Sequence, residues 1–331
     1  MMATPGLLAL FTEGDRARGF GHVSRCSAYA QAWLGRGGRV CWILDGDDEA
    51  AAMVGAGHGI IRRRWQEDGG ATLDVRPALA LVDSYTASDE ALQTLAAAAD
   101  VMVFIDDLGR AYPPGVVVHP APDRIPPATR QGTQVLSGPS WQPLRPPFWD
   151  LPARAGVRPE IERILVVFGG GDLRGMGLAM ARLALEVFPS AGVDLVLGAG
   201  QPRPDPMPGV SVHQAIDAAA MATLMRKADV AISGAGQTVF ELARCGTPAI
   251  LVGIADNQLA NLDHWPTLCG YIDAGWWDAA DLHGRVTAAL MHLADPRRRQ
   301  DVSLKAAEVV DGQGVRRLFD HLDRRAIQEG L

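Results

Sequence analysis

Residues 232–258 read ISGAGQTVFELARCGTPAILVGIADNQ. An apolar strand ends at Ser233, small residues open a helix from about Thr238, and Gly246 with Pro248 closes it before the next apolar run, PAILVG. Glycine suits the backbone turn after a helix, and proline shortly beyond cannot continue it. A strand, a helix and a strand in this spacing form a βαβ unit, whose strands are parallel and buried on both faces.

The same alternation extends in both directions. Towards the C-terminus comes a helix after Asp256, then a tail from Asp278, rich in Ala, Leu, Arg and Asp, that reads as two or three helices. Upstream lie RILVVF (163–168), a helix after Asp172, VDLVLG (193–198), a short strand near Val210–His213, a helix near Ala218–Lys227, and DVAIS (229–233). Further upstream are LLALFT (7–12), a helix from about His22 to Leu34, RVCWIL (39–44), a helical patch near Asp48–Val54, ALALVD (78–83), a helix near Ser88–Ala98 and VMVFID (101–106). Between Pro113 and Pro152 the pattern breaks, and half of the chain's 22 prolines fall there. Proline removes a backbone donor and fixes φ, so no regular structure is expected in that segment.

With 331 residues the chain exceeds what one core usually supports. The expected organisation is an N-terminal Rossmann-like lobe over residues 1–152, with 113–152 as its proline-rich connection, and a second such lobe over 153–331, whose C-terminal helices could cross back to the first. The expected class is α/β, two doubly wound lobes facing an interlobe cleft, where ligands gather at the carboxyl ends of parallel strands.

Bulk composition narrows the partners. Hydrophobic residues make up 48% and charged residues 21%, as in an ordinary globular protein. A net charge of −7 gives no basic field for a nucleic acid or an anionic membrane. Four cysteines, Cys26, Cys41, Cys245 and Cys269, lie at neither disulfide-scaffold nor zinc spacing. The N-terminal stretch lacks a basic n-region, and no run reaches the roughly 18 apolar residues that span a bilayer. A cytoplasmic, monomeric protein is expected.

Two glycine-rich turns and the opening stretch carry candidate chemistry. In GFGHVSR (19–25), Gly19 and Gly21 match the start of a dinucleotide fingerprint, but its third position falls on Ser24, so a cofactor reading is weak. His22 starts the helix where it can act as a base, and Arg25, three residues on, shares its face. Alternatively, His22 caps the helix and Arg25 is a solvated charge. FGGGDLRG (168–175) places Gly170 and Gly171 before an acid that can cap a helix, an anion-accepting turn or merely a tight one. In 232–258 the helix-start amides, Glu241 and the Asn257-Gln258 pair suit phosphate, ribose and sugar hydroxyls respectively. Asp83, Asp106 and Asp107 end strands and could face the cleft or cap helices. Trp141 and Trp149 could line a pocket or anchor the connection. His58, His119, His213 and His264 lack partners at ligand spacing and read as structural or exposed.

The segment SGAGQTVFELARCGTPAILVGIADNQ resembles the nucleotide-sugar segment of the GT-B superfamily, which includes the peptidoglycan UDP-N-acetylglucosamine transferase. Its pairing with GFGHVSR, LALVDSY, FIDDLGR and VFGGGD, in order from about residue 10 to 260, is similar more narrowly to the UDP-2,4-diacetamido-2,4,6-trideoxy-β-L-altropyranose hydrolases of pseudaminic acid synthesis. The resemblance implies a GT-B-like fold and His22 as the base that activates water to attack the anomeric carbon and release UDP with inversion. It implies Gly236, Gln237 and Thr238 at the nucleotide-side helix start, Glu241 near the ribose, and Asn257 and Gln258 near the sugar. Gly19, Gly21, Arg25, Asp83, Gly170 and Gly171 complete the expected substrate contacts, with no metal or cofactor. Where that family carries an Arg and an Asp before the glycines, this chain has Phe11 and Glu13, with Glu13 standing in for the acid.

A UDP-sugar hydrolase in nonulosonic acid or surface-glycan synthesis is therefore the first expectation. An inverting glycosyltransferase on the same fold, with His22 deprotonating an acceptor hydroxyl, is the alternative. A nucleotide-sugar binding protein without turnover and an NAD-dependent dehydrogenase rank below them.

Overall fold

A computed structural model describes residues 6–55, 58–67, 73–122, 132–169, 172 and 174–329. The chain divides into two compact units, one running to Arg145 and resumed from Gln313, the other Pro146–Gly312.

The first unit contains β1 (Leu7–Gly14), α1 (Gly21–Gly35), β2 (Arg39–Gly46), α2 (Asp48–Val54), β3 (Gly59–Arg62), β4 (Leu79–Asp83), α3 (Asp89–Ala96), β5 (Val101–Ile105), β6 (Gly115–His119) and β7 (Thr133–Ser137). Its seven strands are ordered β3-β2-β1-β4-β5-β6-β7, each pair parallel. Strand order reverses between β1 and β4, and the crevice at such a point is where doubly wound sheets bind ligands. One face of the sheet packs Phe11, Ile43, Val82 and Phe104 against Trp65 and Leu92. Each such side chain, fully removed from water, contributes about 1.5–3 kcal/mol.

The second unit contains β8 (Arg163–Val167), α4 (Met176–Val187), β9 (Gly192–Leu197), β10 (Val210–Gln214), α5 (Ala218–Lys227), β11 (Val230–Gly234), α6 (Thr238–Arg244), β12 (Ala249–Gly253), α7 (Leu259–Cys269), β13 (Ile272–Trp276), α8 (Leu282–His292) and α9 (Pro296–Val309). Its six-stranded parallel sheet, β10-β9-β8-β11-β12-β13, reverses between β8 and β11. Ile164, Val166, Ile232, Ile250 and Val252 form its core with Met180, Ala184 and Leu290 of the flanking helices.

The final helix, α10 (Gly314–Glu329), belongs to the first unit. Phe319 stands edge-on to Tyr29 of α1 with ring centroids 6.1 Å apart, and the Arg36 guanidinium lies 5.4 Å from the Phe319 ring centre and pairs with Asp323.

The proline-rich segment departs from expectation, because it carries β6 and β7. Pro113 and Pro114 precede Gly115–His119 and Pro120 follows it, so no proline falls inside the strand and its ladder donors survive. The short strands β3 and β13 were likewise not expected from the sequence.

Candidate functional site

The β1–α1 turn sets the first cluster. Gly19 takes φ +84° and its N–H donates to the Asp15 carbonyl at 2.7 Å, closing a tight loop. A Cβ on Gly14 would lie 2.8 Å from Val23 Cγ2, so glycine lets α1 start directly against the end of β1. Phe20 provides no side-chain cap, and α1 begins at Gly21 with His22 on its first turn.

His22 is 6% exposed, and its Nδ1 lies 2.6 Å from Asp83 Oδ1 at the end of β4. Arg25, 3% exposed, grips the same carboxylate side-on: Nε donates to Oδ2 at 2.9 Å and Nη2 to Oδ1 at 2.7 Å. Its Nη1 donates to Asp107 Oδ2 at 2.5 Å, an oxygen that also accepts from Tyr85 Oη at 2.7 Å. The Tyr85 and His22 rings meet edge-on at 4.3 Å. A carboxylate facing Nδ1 assigns the proton to that nitrogen. Arg25 Nη2, 3.0 Å from Nδ1, then has no lone pair to bond there and is satisfied by Asp83. The Nε2 lone pair remains, with no hydrogen bond among the described residues. His22 therefore does not cap its helix, and Arg25 is no solvated charge.

Burial would lower the Arg25 pKa, but Asp107 and Asp83 overcome it and hold the guanidinium well above the usual arginine range. Burial would raise Asp107, yet Arg25 and the Tyr85 hydroxyl bring its carboxyl below the usual range. Glu13, 1% exposed, behaves alike: against the effect of burial, hydrogen bonds from Thr86, Gln66 and the Tyr85 backbone lower it. Its Oε1 accepts the Tyr85 N–H at 2.9 Å, and its Oε2 accepts from Gln66 at 2.8 Å and from the Thr86 hydroxyl. Glu13 thus ties the loop after β4 to β1. Arg18 turns to Asp15 and Asp45, and Arg16 to Glu49.

None of the three strand-end aspartates caps a helix. Ser88 caps α3 by accepting the Ala91 N–H. Asp106 accepts from the Leu108 and Gly109 amides, the Tyr112 hydroxyl and His119 Nδ1, and Asp83 and Asp107 are taken by Arg25. Tyr85 joins the cluster without having been named from the sequence, and Asp107, named there only as a strand-end acid that could face the cleft or cap a helix, joins it as a partner of Arg25. The available signals were the doubled acid in FIDD and the tyrosine two places after Asp83. Trp141 lies under Arg317 and edge-on to His321, within the first unit.

In the second unit, Gly169 takes φ +72° after β8, while Gly170 and Gly171 lie outside the described residues. The Asp172 carboxylate accepts the Met176 and Gly177 amides at 2.8 Å each, so a protein carboxylate occupies these amides at the start of α4. After β11, carboxamides build the turn. Asn261 Nδ2 donates to the Ala235 carbonyl at 2.7 Å, and Gln258 Oε1 accepts the Ile254 N–H at 3.1 Å. A Cβ on Gly236 would lie 3.4 Å from Gln258 Nε2, so the structure brings Gly236 and Gln258 together. Gln237 and Thr238 are half-buried beside them and Asn257 is exposed. Glu241 is 9% exposed on α6; burial first and then the Glu241 charge push the Cys245 thiol up to about 12.

Among the described residues, no group of three or more His, Cys, Asp or Glu could hold a metal ion, and no helix is long and apolar enough to cross a membrane.

No family model matches the sequence, and no curated protein matches it. Solved structures match nearly the whole chain. The kitacinnamycin glycotransferase aligns with TM-score 0.63 at 18% identity, covering 98% of this chain and 99% of that one. CalG4, the calicheamicin glycosyltransferase, aligns with TM-score 0.64 at 16% identity, covering 98% and 99%. The spinosyn rhamnosyltransferase SpnG, complexed with thymidine diphosphate, aligns with TM-score 0.63 at 13% identity, covering 94% and 99%. These neighbours overturn the hydrolase expectation: they are glycosyltransferases and favour the alternative, and nothing in them supports the narrower pseudaminic-acid hydrolase family. Two parallel sheets of seven and six strands, flanked by helices, give the chain the two-lobed, Rossmann-like GT-B fold.

Proposed function

We propose that the protein is an inverting glycosyltransferase that uses a nucleoside-diphosphate sugar, with His22 as general base for an acceptor hydroxyl. The observation that carries this reading is the buried His22–Asp83 pair at 2.6 Å, at the point where the first sheet's strand order reverses. Asp83 fixes the imidazole tautomer and stabilises the cation formed when Nε2 takes the acceptor's proton. The acceptor oxygen then bonds to the anomeric carbon, and the bond from that carbon to the diphosphate oxygen breaks. The electron pair leaves with the nucleoside diphosphate. General-base assistance of this kind is worth about 10²–10⁴ in rate.

The fold's occurrence in a thymidine diphosphate complex supports a nucleotide donor. Within the second unit, Gly236, Gln237, Thr238, Glu241, Asn257 and Gln258 are assigned to the donor, because neutral amides and carboxamides gather at the β11–α6 turn. The test is a panel of UDP- and dTDP-sugars, each with mixed hydroxyl acceptors, with glycosylated product read by mass spectrometry. Product from at least one pair is expected in the wild type, reduced about 100-fold or more in His22→Ala. Undiminished product from that variant would sink the assignment of the base.

A further inference from the structure

We propose that Arg25 is a positioning residue that sets the proton balance of His22 by holding Asp83 and Asp107 at once; its catalytic consequence rests on the glycosyltransferase reading above. The geometry is a closed ring of five side chains. His22 meets Asp83 at 2.6 Å, Asp83 takes two donors from Arg25, Arg25 reaches Asp107 at 2.5 Å, and Asp107 accepts from Tyr85 at 2.7 Å. The Tyr85 ring then stands edge-on to the imidazole at 4.3 Å and closes the circuit. Side-on guanidinium–carboxylate pairing fixes the plane of Asp83 as a lysine could not.

The charges in the ring explain the arrangement. Two carboxylates and one guanidinium leave a single excess negative charge while the imidazole is neutral, and none once it takes one proton. Glu13 on β1 adds a negative charge facing His22, hydrogen-bonded by Gln66, Thr86 and the Tyr85 amide and partly offset by Arg18, whose Nη1 lies 3.4 Å from its Oε2. Cys26 and Tyr29, on α1 with Arg25, stay neutral because burial pushes both upward. Without Arg25, the Asp83 and Asp107 carboxylates would lose their shared cation, and their uncompensated charge beside the imidazole would favour its cation over the neutral ring whose lone pair a base needs. With Arg25 in place, the cluster can receive one proton from the acceptor and return it after product leaves.

The test compares wild type, Arg25→Gln, Arg25→Lys and Asp107→Asn by two readouts. One is the acid limb of kcat/KM against pH; the other, made without substrate, is the pH at which the isotope-labelled His22 ring signal changes in NMR. Losing the cation in Arg25→Gln should move both to higher pH by about one unit or more, and losing the anion in Asp107→Asn should move both to lower pH. Arg25→Lys keeps the charge without the fork, so both should stay near wild type while kcat falls. If Arg25→Gln does not fold, a downward movement in Asp107→Asn beside an unmoved Arg25→Lys tests the same dependence on charge, and an unmoved Asp107→Asn overturns the proposal. Ring signals that do not move in natively folded variants, or that move in one direction for both charge losses, overturn the proposal. Opposed movements in a protein that transfers no sugar would uphold it and remove the transferase reading instead.

Discussion

The sheets of the two units share one plan around their first strands, β3-β2-β1-β4 in one and β10-β9-β8-β11 in the other, yet the carboxyl ends at the two reversals are furnished in opposite ways. At β1/β4, Glu13, His22, Arg25, Asp83 and Asp107 crowd together, nearly all out of water. At β8/β11, Ser233, Gly234, Ala235 and Gly236 are small and neutral, and the turn is held by the carboxamides of Gln258 and Asn261. Topology supplies the location, and side chains decide its chemistry. A dense group of charges is tolerable in the first unit because each has an opposite partner or hydrogen bonds to meet it. The β11–α6 turn itself carries no carboxylate before Glu241.

The contrast can be broken most sharply at Asp83. Replacing it with asparagine removes the charge that fixes the His22 tautomer, so glycosyl transfer should fall by at least about 100-fold, with KM for the donor little changed. A variant that transfers normally would reduce the first cluster to a structural device. A change of comparable carboxamide chemistry in the second unit, Gln258→Ala, should act mainly on donor KM.

Acid should separate the units next. Glu13 and Asp107 have folded-state pKa values below their unfolded ones, so the stability they contribute is fully present above about pH 4.3, the unfolded carboxylate range. It is lost as pH falls through the lower folded values, because the unfolded chain binds the protons first. Hydrogen exchange read by mass spectrometry, corrected for intrinsic pH dependence, should show the first unit losing protection before the second below pH 4.3. Glu13→Gln should flatten that dependence; simultaneous loss in both units would remove the distinction. The smallest expected effect lies in the second unit, where Asp172→Ala removes the α4 cap and should cost about 1 kcal/mol in chemical denaturation while leaving the His22 pH profile in place.

Much of the fold was legible because buried parallel strands announce themselves as apolar runs, as in LLALF, LALVD and AILVG. β6 was hidden by its flanking prolines, although GVVVH is itself an uninterrupted strand sequence, and β3 is only four residues long and mostly exposed. The site was legible where it is local. Spacing alone puts Arg25 on the face of His22, but Asp83 and Asp107 lie 61 and 82 residues from their partners, His22 and Arg25, and meet them only because β4 pairs with β1 and β5 with β4. That order is fixed by crossovers, which no short motif encodes. For the same reason Glu13 looked like a group for substrate, whereas its oxygens are engaged by residues 53 to 73 positions away. The choice between water and an acceptor hydroxyl as nucleophile has no motif either, since the same base serves both.

That choice is open to one direct measurement: nucleoside diphosphate release by the wild type and His22→Ala, with and without the acceptor, on the best donor of the panel. The expected result is fast release only when wild type and acceptor are both present, matched mole for mole by glycosylated product. Equally fast release without acceptor, or release by His22→Ala at the wild-type rate, would contradict a transferase whose base is His22.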